Sequence, residues 1–405
     1  YLLRLQRCTL FLLSLSFYPP IFIIIVIGSL RCYIKLSFCN NCRVVTLYPI
    51  LGLFLNRAVY LEGGMRYIVI TPRNLEDVAS RELYRKNLKA GKEHYRKIIV
   101  EYDGDPSKLA ELKAPDDVLV YIGEFKDIGH ISGNLIDLCK NLKKFDLKRA
   151  IETCKKVREI PEKASFAITV STIGDRNFTQ DYLKKKVGET LSDNNLIFKE
   201  EGKPDLDFSL IIENEKVFFG LRLFKEPLHK RAFKRFTLPA SLKSNLAFAM
   251  LDLADVSQED VVLDPMCGIG TIPIEAAFIG AKAIGFDINE ESIKLAKKNA
   301  KKAGKEINFE VNDATKTGLD KESIDKVVAN LPFGRQVSID SNKELFRKFL
   351  KEIVRILKKG GKAAFLTTHV KLIKDLAKEA GLKLIASREI SLFGLKPVIL
   401  IFRKI

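Results

Sequence analysis

From residue 65 onward, short apolar runs alternate with stretches whose apolar positions recur at helical spacing, the pattern of an α/β protein. Strands are predicted at Arg66–Thr71, Lys97–Tyr102 and Val118–Phe125, with helices at Asn74–Lys89 and Pro106–Leu112 between them and Asn74 as an N-cap. This order suits a small ferredoxin-like layer. Residues 133–158 read as lysine-rich amphipathic helices. A strand at Ser165–Ser171, a turn at Gly174–Arg176 and a helix at Thr179–Ser192 follow. Leu206–Ile212 and Lys216–Leu223 then alternate as paired strands about Glu213–Glu215. From Val261 the chain reads strand, glycine loop and helix, and further strands follow. The strands fall at Val261–Asp264, Ala283–Ile288, Ile307–Val311, Lys326–Ala329, 362–367, 383–391 and 397–403, with helices at 342–358 and 370–380. Seven strands ending in a hairpin predict a doubly wound sheet with one antiparallel strand.

Residues 1–64 do not share this pattern. They hold four of the seven cysteines and one acidic residue, Glu62, against six basic ones. Phe11–Leu30 is apolar enough to suggest a membrane segment, but Pro19 and Pro20 interrupt it. Glu62-Gly63-Gly64 directly precedes Met65, and purine-rich Glu and Gly codons are what a ribosome-binding site yields when translated in frame. Residues 1–64 are therefore read as a non-native extension from an over-extended gene model.

The chain carries 68 Lys+Arg against 50 Asp+Glu, a net +18, and remains strongly basic from Met65 on. Such an excess points to a polyanionic partner, since each neutralised phosphate releases counterions. After Met65 only Cys139, Cys154 and Cys267 remain, with no CxxC pair, and the four histidines are isolated, so neither a disulfide framework nor a metal site is expected. A cytoplasmic protein without membrane attachment, acting as a monomer, is the expectation. Residues 226–245 form a basic joint, EPLHKRAFKRFTLPASLKSN, in which Lys230, Arg231, Lys234 and Arg235 interleave with Phe233 and Phe236. That mixture suits phosphate contacts and base stacking, and equally a linker whose phenylalanines anchor it to a domain.

The chemistry lies further on. VVLDPMCGIGTIPIEAA is a strand, a glycine loop and a helix, and the next strand ends at Asp287, 23 residues after Asp264. This is the geometry of a nucleoside site: backbone N–H groups at the helix start and an acid for ribose hydroxyls. A dinucleotide is disfavoured, because Pro273 stands near the place of the third glycine and Asp264 would repel a pyrophosphate. A cofactor bearing an amino group would instead be attracted to Asp264. The third strand runs into Asn312-Asp313-Ala314, placed to meet an adenine edge. The fourth ends in Asn330-Leu331-Pro332-Phe333-Gly334, which resembles the (D/N)PP(Y/F) signature of enzymes that methylate planar nitrogens. No cysteine stands near it for carbon-5 methylation.

Two resemblances follow. SFAITVSTIGDRNFT, with the helix after it and the PDLDFSLII/KVFFGLRL pair, is similar to the THUMP domain, an RNA-binding module of tRNA-modifying enzymes. DPMCGIGTIPIEAA and NLPFGR resemble the THUMP-containing guanine-N2 methyltransferases, most closely the archaeal tRNA enzymes acting on the guanosine at position 6. The resemblance implies a ferredoxin-like and THUMP region over 65–225 that binds the tRNA acceptor stem and 3′ end, a basic linker over 226–245, and a Rossmann-like class I methyltransferase domain over 246–405. It implies S-adenosyl-L-methionine held by Asp264, Met266, Gly268, Gly270, Thr271, Asp287, Ile288, Asn312, Asp313, Ala314 and Asn330. Asn330, Leu331, Pro332 and Phe333 become the catalytic loop, and Arg176, Lys230, Arg231, Lys234, Arg235 and Arg335 the RNA contacts. Other tRNA positions, 23S rRNA, DNA adenine-N6 and a non-catalytic tRNA-binding role are the alternatives.

Overall fold

The computed structural model describes residues 64–405 apart from 127–132, 175–177, 193–194, 235, 237, 239–240, 333–338 and 393; of residues 1–63 it describes only the backbone of four strands. These strands, β1 (Leu2–Leu5), β2 (Cys8–Leu15), β3 (Ile21–Gly28) and β4 (Arg31–Ser37), form an antiparallel meander. They belong to a first compact unit, Tyr1–Gly63; Gly64–Ile405 is the second. Among the described residues no helix is long and apolar enough to cross a membrane.

The second unit begins with β5 (Arg66–Ile70), α1 (Glu76–Arg85), β6 (Lys89–His94), β7 (Lys97–Glu101) and β8 (Asp117–Lys126). Helices α2 (Gly133–Leu142) and α3 (Leu147–Lys155) follow, then β9 (Ser165–Ile173), α4 (Gln180–Leu191), β10 (Ile197–Phe198), β11 (Leu206–Glu213) and β12 (Lys216–Arg222). One eight-stranded sheet, ordered β10-β9-β11-β12-β8-β5-β7-β6, carries all of these strands. The strands before α2 and those after α3 are therefore joined in one sheet, by antiparallel pairing of β12 with β8.

Three local expectations are corrected. Asn74 does not cap α1; its φ is +63°, the N-cap is Leu75, and the Asn74 Nδ2 donates to the Glu389 carbonyl at 2.8 Å. Pro106–Glu111 is a 3₁₀ helix, capped by Asp105 accepting from Ser107 N at 2.9 Å. Lys89–His94, where the predicted helix ends at Lys89 and no further element is expected before Lys97, is an edge strand.

The catalytic half runs α5 (Ser244–Leu253), β13 (Val261–Asp264), α6 (Thr271–Ile279), β14 (Lys282–Asp287), α7 (Glu290–Lys302), β15 (Asn308–Val311) and β16 (Ile324–Asn330). It continues through α8 (Ile339–Ile356), β17 (Leu357–Thr367), α9 (Val370–Ala380), β18 (Leu382–Glu389) and β19 (Val398–Lys404). The sheet order is β15-β14-β13-β16-β17-β19-β18, with only β19 antiparallel to its neighbours, as the sequence predicts. Strand order reverses between β13 and β16, so their carboxyl ends open a crevice at the switch point. One apolar cluster runs from Val69 and Val78 through Leu246–Leu251 of α5 to Val328 and Ile401, so the two halves share a core.

Candidate functional site

At the carboxyl end of β13, Asp264 is 2% exposed and accepts from Met266 N at 3.1 Å. Burial raises its carboxyl well above the usual carboxylate range, and the nearby Asp287 charge pushes in the same direction. A cation placed beside Asp264 would reverse that shift.

The glycine loop is pinned by its neighbours. Cys267 N donates to Phe286 O at 2.7 Å, Gly268 N to Asp287 Oδ2 at 2.8 Å, and Gly270 N to Cys267 O at 2.8 Å. Two glycines serve different needs. Gly268 has φ +52°, and a Cβ there would meet nothing within 4 Å, so its backbone faces open space. Gly270 has φ +81° at the start of α6, and a Cβ there would stand 2.9 Å from Phe309 Cζ. The first leaves a path to the backbone; the second lets α6 pack. Cys267 is buried, and burial pushes its thiol well above its ordinary pKa, so it packs rather than reacts.

Asp287 closes β14, its Oδ2 on Gly268 N and its Oδ1 on Asn289 N at 2.9 Å. A carboxylate has about four lone-pair sites, which leaves capacity for a ligand hydroxyl. Ile288 beside it is 76% exposed. Asn312 N donates to Asp287 O at 3.0 Å and its Nδ2 to Thr317 O at 2.9 Å. Asp313 Oδ1 takes Thr315 N and Oγ1, both at 2.8 Å, and Ala314 is buried.

Asn330 ends β16. Its Oδ1 is buried and, among the described residues, accepts no hydrogen bond. Leu331 N donates to Leu366 O at 3.0 Å, its side chain is 1% exposed, and Pro332 is exposed. Phe333, like Arg176, Arg235 and Arg335, lies outside the described residues.

A cavity of about 140 Å³ collects Asp264, Met266, Gly268, Thr271 and Asn330 from the predicted set. Gly270, Asp287, Ile288, Asn312, Asp313 and Ala314 do not line it. Leu238, Ser241 and Leu242 do, although sequence reasoning treated them as part of a linker. The available signal was the change from basic residues to leucines spaced by small ones.

The basic joint is a strap, held down at named points. Arg231, expected to contact RNA, is buried instead: its Nε donates to Glu275 Oε1 at 3.0 Å, its Nη2 to Lys113 O at 2.7 Å, and its Nη1 to Leu228 O. Those bonds take three of the five guanidinium N–H donors, so Arg231 anchors the strap to the protein. Lys234 donates to Leu242 O, and burial lowers its pKa to about 8. Lys230 is exposed and pairs with Glu226 at 3.1 Å. Asn299 Nδ2 donates to Phe236 O at 3.3 Å and to Ile269 O at 3.2 Å, tying the strap to the glycine loop. Phe233 is buried against Cys267, Ile293 and Phe309.

Residues 231–396 match the family described as UPF0020: RMKL-like, methyltransferase domain. The chain is 25% identical over 405 residues to a tRNA (guanine(6)-N2)-methyltransferase of Archaeoglobus fulgidus, covering 89% of this chain and 99% of that relative. It is 29% identical over 252 residues to the enzyme of that name from Thermus thermophilus, covering 61% of this chain and 75% of the relative. The crystal structure of TrmN from Thermus thermophilus shares the fold, with a TM-score of 0.69 and 24% identity over 84% of this chain and 100% of that one.

Proposed function

We propose that this chain, an enzyme carrying an RMKL-like methyltransferase domain over residues 231–396, methylates the exocyclic N2 of a guanosine in tRNA, at position 6 of the acceptor stem. The observation that carries the reading is the buried, unpartnered Oδ1 of Asn330, on a residue that lines the crevice cavity with Asp264. Buried polar atoms are nearly always paired, so an orphan in a cleft marks a place for a substrate donor. The names carried by the Archaeoglobus fulgidus and Thermus thermophilus relatives support guanine N2 as the target.

S-adenosyl-L-methionine, when bound, supplies a methyl group on a sulfonium leaving group. The residues present fit it. The open side of Gly268 admits a ligand to the loop backbone, Asp264 suits a cationic amine, and Asp287 keeps acceptor capacity for a ribose hydroxyl. Asp313 and Ala314 stand on the next loop for the adenine, after Asn312, whose N–H donates to the Asp287 carbonyl.

The guanine amine is a poor nucleophile because its lone pair is delocalised into the ring. Asn330 Oδ1 accepts one amine hydrogen and the Leu331 carbonyl the other, which localises the lone pair on nitrogen. Leu331 N, bonded to Leu366 O, anchors the preceding peptide, between Asn330 and Leu331, to β17. Phe333 stacks on the extruded base, worth about 1–3 kcal/mol. The surplus proton departs to water once the N–C bond has formed. Positioning then supplies most of the acceleration. Residues 65–225, read as a ferredoxin-like and THUMP region, hold the acceptor stem and 3′ end.

The test is methylation of tRNA transcripts followed by mass spectrometry of nucleosides mapped by fragment. N2-methylguanosine at position 6 is expected. A methyl group on adenine N6, or no transfer to any tRNA, overturns the reading.

A further inference from the structure

Two adjoining depressions lie away from the cofactor cavity. One, about 170 Å³, opens where the eight-stranded sheet meets the catalytic half, beside Arg73, Asn245 and Ile390. The other, about 480 Å³, runs over strands β9 and β11 past Thr169, Ser171 and Ser209. They share Tyr95, Arg96, Asp116 and Lys243, and so form one trough.

The charges in it are unevenly spent. Glu213 is paired with Lys97, and Asp117 with Arg222 at 2.6 Å. Asp116 Oδ1 takes Asn245 Nδ2 at 3.0 Å. Arg96 and Lys243 stand 3.8 and 3.9 Å from Asp116, beyond hydrogen-bond distance, with side chains 48% and 42% exposed. Arg73 is exposed, its guanidinium 5.9 Å from the centre of the Tyr95 ring, itself 44% exposed. Arg73, Arg96 and Lys243 thus line the trough with Asp116, a carboxylate already engaged by Asn245. The first turn of α5 starts here too, without a side-chain cap on Lys243. A second observation points to a ligand: Asn245 is 0% exposed, lines the smaller depression, and its Oδ1 accepts no hydrogen bond among the described residues. An acceptor does not match a phosphate. It matches a hydroxyl donor, and in RNA the 2′-OH lies next to the phosphate.

We propose that this trough takes the ribose-phosphate backbone of an RNA strand, with Arg73, Arg96 and Lys243 on phosphate and Asn245 beneath the ribose. The inference rests on an RNA substrate, and places its backbone over the two ends of the strap, at His229 and at Lys243 and Asn245, rather than at Arg231, which is bonded to Glu275.

The test uses the full chain and filter binding of a tRNA transcript across salt concentrations. The Arg73→Ala, Arg96→Ala, Lys243→Ala triple variant is expected to bind about tenfold or more weakly near physiological salt. Its log-log salt slope should flatten by about 0.7 for each single-strand phosphate that the variant no longer neutralises. Affinity for S-adenosylhomocysteine should stay at the parent value. The exposed Arg73→Glu variant repeats the measurement where folding is not at risk. In a separate arm, the parent should prefer an RNA strand to DNA of the same sequence, and Asn245→Ala should narrow that ratio. An unchanged slope, or equal affinity of the parent for RNA and DNA, overturns the proposal. If the variants bind tRNA weakly while the parent methylates an atom other than guanine N2, the trough stands and the reaction assignment falls. If the parent methylates guanine N2 and the variants bind as it does, the trough alone falls.

Discussion

The cofactor cavity and the strap that borders it differ in how their polar groups are used. In the strap, Arg231 gives hydrogen bonds to Glu275, Lys113 and Leu228, and Asn299 clips Phe236 to Ile269. In the cavity, Asp264 is buried with Met266 N as its described donor, Asn330 Oδ1 has none, and Gly268 turns its open side outward. Both regions hold polar residues of the types that bind substrates. Of these residues, those of the cavity are the ones left with capacity to spare. Residue type nominates a site; the state of its hydrogen bonds separates a ligand from a rivet.

The largest expected effect tests the rivet. Arg231→Ala leaves Glu275, 0% exposed, as a buried charge without its main partner, which typically costs about 3–5 kcal/mol. Thermal unfolding should show a large fall in Tm. The Arg231→Met, Glu275→Leu pair, which removes both charges, should recover most of it. If Arg231→Ala unfolds like the parent while tRNA affinity collapses, Arg231 is an RNA contact after all.

Asn330→Ala is the opposite case. It removes an acceptor without a protein partner, so stability should hold or rise slightly. Single-turnover methylation should fall by about 10²–10³-fold, the size of effect seen when one preorganised transition-state hydrogen bond is removed. Affinity for cofactor and tRNA should change little, because the interaction is realised mainly in the transition state. Asn330→Asp keeps an acceptor and should retain measurable turnover. Parent-like turnover of Asn330→Ala would remove the amine-orienting role.

The catalytic half was legible because its signals are local. Buried parallel strands show as apolar runs, and the loop from Asp264 to Thr271 carries its glycines and its acid within eight residues. What was not legible depends on distant partners. Arg231 reads as a solvated cation until Glu275, 44 positions away, is seen beside it. Asn74 reads as a cap, but its side chain is taken by Glu389, 315 positions away. Lys89–His94 was missed for another reason. An edge strand pairs on one side only and can be polar throughout, so KAGKEH shows no period-two pattern. The joining of β8 to β12 is likewise a tertiary event that neither strand announces.

Asp264 yields a subtler contrast between cavity and strap, read in protons. Its carboxyl is raised by burial, so between the ordinary carboxylate range and its raised pKa the folded protein holds a proton that the unfolded chain does not. Stability therefore falls as pH rises through that window. A cationic amine bound beside Asp264 favours the carboxylate, and the proton should leave. Calorimetry with S-adenosylhomocysteine in buffers of different ionisation enthalpy should detect release of up to one proton, absent in Asp264→Asn. A binding enthalpy independent of buffer would place the amine elsewhere.

The smallest effect concerns a rivet with a spare. Asp252, its side chain 3% exposed, is held by both Arg81, at 2.6 Å, and Arg85, across the contact between α1 and α5. Each arginine is about half exposed, so either one alone works against solvent screening. Arg85→Ala leaves Asp252 paired to Arg81 through Nε and Nη2 and should cost no more than about 1 kcal/mol. Removing both leaves the same carboxylate buried without its cations, so the double variant should lose more than the sum of the singles. A double-mutant cycle by urea unfolding measures the excess. Simple additivity would mean that solvent replaces each arginine at no cost, and that Asp252 is not the shared anchor of this contact.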